Sequence, residues 1–202
     1  MSAALPSGPP RTTTTDPTGR SGVPGFAGAL ALGTAAAMFM TAIGAAYFGV
    51  RNNEEAFVPD TMPFWGGPTY AGVVILITWI LGSMACEWAQ QAVSQSIRRW
   101  GLMAWGLGVF MALAALNLQW FLADTLGFGP GATSYATLVY ALFIASGAMG
   151  VMAVVAALVG LARTAGGQIS ADQPHLGRAC AVLYHLGMLS WAGTLGLIYL
   201  YK

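Results

Sequence analysis

The sequence predicts an all-α integral membrane bundle of five transmembrane helices. Three observations carry this prediction. Only 7% of the 202 residues are charged and 56% are hydrophobic, whereas a soluble domain is about 25% charged. Five apolar stretches recur, each longer than the roughly 20 residues that cross a hydrocarbon core as a helix. Between them lie short segments rich in Gly, Pro and polar residues, which punctuate helices.

Residues 1–24 precede the first apolar stretch. They are dominated by Pro, Gly, Ser and Thr, which predicts a disordered tail. An apolar core close to Met1 and a small-residue cleavage site would mark a secretory signal. Neither is present, so the tail is expected to stay on, on the side of synthesis. The remainder, 25–202, reads as one membrane domain.

The first helix is expected over about 26–50, FAGALALGTAAAMFMTAIGAAYFGV. Its many Ala and Gly residues let helices approach closely in lipid, where packing drives association. That predicts a helix buried among others, with Tyr47 and Phe48 in an interfacial aromatic belt. Residues 51–69 then carry Glu54, Glu55 and Asp60 against Arg51, with three prolines and a Gly-Gly pair. No continuous helix is expected there, and Phe64 and Trp65 suit a segment lying at the interface.

The second helix is expected over about 70–92. It contains Glu87, near its end and beside Gln90, Gln91, Ser94 and Gln95. A carboxylate in a membrane helix is a functional candidate by default. This one reads as a side chain snorkelling to the interface. Arg98 and Arg99 form a basic turn before the third helix, about 100–122, in which Asn117 and Gln119 are expected to face inward beside Trp120. Such polar side chains bond across helices for about 0.6–2 kcal/mol.

The fourth helix is expected over about 135–161, with a small-residue packing face at Ser146-Gly147-Ala148-Met149-Gly150. A polar loop follows, in which His175 is expected to be solvated. The fifth helix, about 179–201, contains Tyr184, His185 and Trp191. Cys86 and Cys180 form neither a CxxC motif nor a disulfide framework and read as buried thiols.

Lys and Arg bias sets the orientation. With the amino terminus in the cytoplasm, Arg11, Arg20, Arg98, Arg99, Arg163 and Arg178 fall inside. Arg51 and Lys202 fall outside, together with the carboxyl terminus. A net charge of +1 offers no basis for a nucleic-acid partner. Two histidines on unlike segments cannot build a multi-metal redox centre. No dinucleotide fingerprint, phosphate loop or nucleophile elbow is apparent.

From about Gly28 to Lys202 the chain resembles subunit III of the haem-copper terminal oxidases, in the short five-helix form of some bacteria. The likeness lies in order and spacing. MFMTAIGAAYFGVR ends a first helix in Tyr-Phe and then Arg. Arg98-Arg99-Trp100 matches the family's basic turn, with Gly108 and Phe110 following. Leu116-Asn117-Leu118-Gln119-Trp120 sits at the family's Gln-x-x-Glu and aromatic, and Tyr135 and Tyr140 open the fourth helix. Tyr184-His185-Leu186-Gly187-Met188-Leu189-Ser190-Trp191 stands at Trp-His-Phe-Val-Asp-x-x-Trp, and the chain ends Ile-Tyr-Leu-Tyr-Lys.

The departures concern ionisable residues. The family's buried Glu in the first helix falls at Ala36. Its His-Gly-x-His falls at Ser146, Gly147, Ala148 and Met149, its third-helix Glu at Gln119, and its last-helix Asp at Met188.

The resemblance implies a non-catalytic subunit of a respiratory oxidase complex. Its partners would be catalytic subunit I, subunit II and membrane lipid in the cell's inner membrane. Haem and copper would sit in the partner subunits and none in this chain, with a phospholipid bound. Candidate lipid or subunit contacts are His185, Trp191, Tyr184, Gln119, Trp120, Arg98 and Arg99. No residue is assigned as catalytic, cofactor-binding or metal-binding. A subunit III-like component of a nitric oxide reductase, or a non-redox membrane scaffold, remain open alternatives.

Overall fold

The computed structural model describes residues 23–53, 67–169 and 175–200. The expected tail lies almost wholly outside these residues, as does most of the acidic 51–69 segment with Phe64 and Trp65. The described chain is all-helical: α1 (Val23–Arg51), α2 (Gly67–Ser94), α3 (Arg98–Asp124), α4 (Ser134–Ala165) and α5 (His175–Leu195). A π-helical turn, Gly196–Leu200, prolongs α5. All five helices are long and apolar enough to cross a membrane, so this is a multi-pass membrane protein. Their ends fall a few residues beyond those expected. Among the largest differences are the end of α4, at Ala165, and the start of α5, at His175, which takes Arg178 into its first turn.

α2 packs on α3, α3 on α4, and α4 on α5, while α5 also meets α1 and α2. The core alternates large aromatic rings with very small residues. Trp79, Trp105 and Trp191 are fully buried. A Cβ added at Gly160 of α4 would lie 2.9 Å from the Trp105 indole of α3. Close helix approach therefore depends on that position having no side chain, which is how packing holds helices together without a hydrophobic driving force.

Two expectations are corrected. α1 is not buried among the others. Only 17% of its apolar window is buried, against 33–44% for the other four helices. Small residues line every face of α1, so its composition permits close packing on any side without requiring it, and among the described residues it packs mainly along α5 and α4. Tyr47 is not an interfacial residue either. It is fully buried, with its ring 6.4 Å from that of Tyr135.

Candidate functional site

The residues singled out on α5 take three different roles, because a helix turns successive side chains by about 100°. Tyr184 is completely buried. Its hydroxyl donates to the Gly108 carbonyl of α3 at 3.0 Å, and its ring meets Trp79 of α2 edge-on at 5.5 Å. To reach Gly108 it crosses Gly82, where an added Cβ would sit 1.9 Å from the Tyr184 oxygen. One side chain thus ties α5, α2 and α3.

Trp191 is also buried. Its Nε1 donates to the Gly72 carbonyl of α2 at 3.0 Å, and its ring stands edge-on to Phe143 of α4 at 5.4 Å. Gln119 of α3 is buried too, and its Nε2 donates to the Phe143 carbonyl and the Ser146 hydroxyl of α4, both at 2.9 Å. The cross-helix bond expected of Gln119 is present. Tyr184, Trp191 and Gln119 nevertheless do not reach lipid or a neighbouring subunit, since this chain buries all three. A hydroxyl, an indole N–H or an amide N–H inside a bilayer gains from a partner, and here each of these three donates to a carbonyl on another helix. Asn117, expected to face inward, is exposed.

Trp120 faces outward, 81% exposed. Arg99 is exposed. Arg98 donates to the Ala165 carbonyl at the end of α4, closing the basic end of the bundle. His175 is exposed, as expected, and Cys86 and Cys180 are free, buried thiols.

His185 leaves α5 on the side of α2. Its Nδ1 is within bonding distance of the Ala181 carbonyl one turn back. Its Nε2 lies 3.5 Å from Glu87 Oε1, with the two side chains 34% and 52% exposed. Glu87 sits seven residues before the end of α2, roughly 10 Å at helical rise. Glu87, expected to snorkel, thus also has a partner on α5. Glu87 also lines a cavity of about 170 Å³ with Gln90, Gln91, Ser94 and Arg178. The pairing joins residues remote in sequence, and only the default suspicion attached to intramembrane ionisable residues flagged both of them.

A second cavity, about 220 Å³, lies between α1, α4 and α5 and is lined by Ala36, Ala37, Met40, Met149, Leu186, Leu189 and Ser190. Its lining is apolar apart from one serine, which already donates to the Gly187 carbonyl. Among the described residues, no three His, Cys, Asp or Glu side chains converge as a metal site would require. No protein-family model matches this chain, and no curated protein matches it significantly.

Proposed function

We propose that the protein is a non-catalytic, subunit III-like component of a respiratory haem-copper oxidase complex in the cell's inner membrane. Its role is to stabilise the catalytic subunit and to bind lipid. Oxygen reduction and proton translocation take place in the partner subunits, which hold the haem and copper.

The observation that carries this reading joins sequence to geometry. Ala36 and Met149 stand where the resembled family has a Glu and a His, and they line the same cavity. Ionisable groups inside a membrane are tolerated in partnership. Two facing positions that both became apolar are what a scaffold leaves when it sheds a buried ionisable site and keeps its helices. Of the candidate contacts, outward-facing Trp120 and exposed Arg99 are available to lipid or a neighbouring subunit. The excess of Arg at the end carrying Arg98, Arg163 and Arg178 supports an amino terminus in the cytoplasm.

Non-ionisable residues at five ionisable family positions, Ala36, Gln119, Ser146, Met149 and Met188, also favour a second reading, a complex that reduces nitric oxide without pumping protons. One experiment separates the outcomes. The tagged chain is purified in mild detergent and the absorption spectrum of the product recorded. Haem and copper that co-purify with oxygen-reducing activity support the first reading, and haem with nitric oxide reduction supports the second. A colourless product sinks both and leaves a non-redox scaffold.

A further inference from the structure

The contacts of His185 restrict where its hydrogens can be. The Ala181 carbonyl beside Nδ1 can only accept, so Nδ1 carries a hydrogen. In a neutral ring that leaves Nε2 a bare lone pair. Yet Nε2 faces a Glu87 oxygen at 3.5 Å. A carboxylate oxygen is likewise an acceptor. Two facing acceptors repel, and they do so more strongly in a low-dielectric setting. The arrangement is attractive only when one further proton lies between them. Either the proton sits on Nε2, making an imidazolium against a carboxylate, or it sits on Glu87, which then donates to Nε2. Both forms are electrically neutral overall, as a site inside a membrane helix pair favours.

We infer that Glu87 and His185 form a one-proton binding site that clasps α5 to α2 through the proton they share. With the proton bound, a hydrogen bond bridges the two helices. Without it, two acceptors face each other and the bridge becomes a repulsion. Glu87 is the member in contact with the polar cavity, which opens among Gln90, Gln91, Ser94 and Arg178.

The other charged groups leave the clasp intact. Arg178 lines the same cavity as Glu87, and among the described residues no ion pair joins the two. Arg163 of α4 is bonded to Gln168, and Arg98 of α3 to the Ala165 carbonyl. Arg99 and His175 are exposed, and Cys86 of α2 and Cys180 of α5 are free, buried thiols. The described part of α1 carries its ionisable side chains, Tyr47 and Arg51, at its far end.

The chain holds only two histidines, so ring nitrogen-15 spectra of the full-length protein in lipid nanodiscs give two sets of signals. Exposed His175 serves as the internal reference. His185 should carry hydrogen on Nδ1 and should not adopt the form with hydrogen on Nε2 alone. In Glu87→Gln the amide N–H can donate to Nε2, so the clasp persists without the shared proton and the pH course of the His185 signals differs from that of the wild type. The inference is overturned if wild-type His185 has a bare Nδ1. It is also overturned if its signals follow the same pH course in wild type and Glu87→Gln. The wild-type spectrum is decisive even where the variant does not fold.

Discussion

Tyr184 shows how much one side chain can organise in a membrane protein. Its hydroxyl needs an acceptor, and the bilayer supplies none. The Gly108 carbonyl provides one, and Gly82 provides the passage. A methyl group at residue 82 would occupy the place of the phenol oxygen. Gly82→Ala should therefore destabilise the protein by about 1–3 kcal/mol, and Tyr184→Phe alone by about 1 kcal/mol. The two effects should be less than additive, because the first substitution already displaces the phenol. Thermal unfolding of the two single variants and the double variant in detergent measures this, and strict additivity would contradict the proposed crossing. Trp191 follows the same logic with an indole N–H and the Gly72 carbonyl. Neither inward direction was legible in the sequence. A helix surrounded by lipid is apolar on every side, so hydrophobic periodicity does not mark its inner face as it does in a soluble protein.

Among the helices, α2 and α4 end in the same way with different residues. At the end of α4, Gly167 N–H donates to Thr164 O and Gln168 N–H to Arg163 O, with Gly167 at φ +72°. At the end of α2, Ser96 N–H donates to Val93 O and Ile97 N–H to Ala92 O, with Ser96 at φ +62°. Both are helix terminations that need one left-handed residue. Glycine adopts that conformation without strain, whereas a residue with a Cβ pays about 1 kcal/mol or more. Ser96→Gly should accordingly raise stability by about 0.5–1 kcal/mol, and Gly167→Ala should lower it by about 1 kcal/mol. Denaturation midpoints for the two variants check both signs. The ends of the helices were readable within a few residues because Gly, Pro and charge mark them. The left-handed serine was not, since Ser is compatible with many turn conformations.

Across the whole molecule, helices that alternate in direction bring Arg98, Arg163 and Arg178 to one end, where Arg98 already bridges α3 to the end of α4. If Arg bias sets orientation, that end faces the cytoplasm. In intact cells, a membrane-impermeant thiol reagent should label Ala132→Cys and spare Gln95→Cys; the reverse pattern would place the amino terminus outside. The native thiols, Cys86 and Cys180, are buried and should give a low background.

The sequence was sufficient for the membrane setting, the number of helices, the buried thiols and the inward Gln119. These depend on composition, length and the cost of an unpartnered polar group in lipid, all of which are local properties of the chain. Which helix is peripheral, where Tyr184 and Trp191 point, and the meeting of Glu87 with His185 came from the tertiary structure alone. Each depends on the rotation and pairing of helices that are nearly uniform in apolar character. In such helices the inner face is chosen by small-residue gaps and hydrogen-bond partners on other helices, and those exist only once the helices have come together.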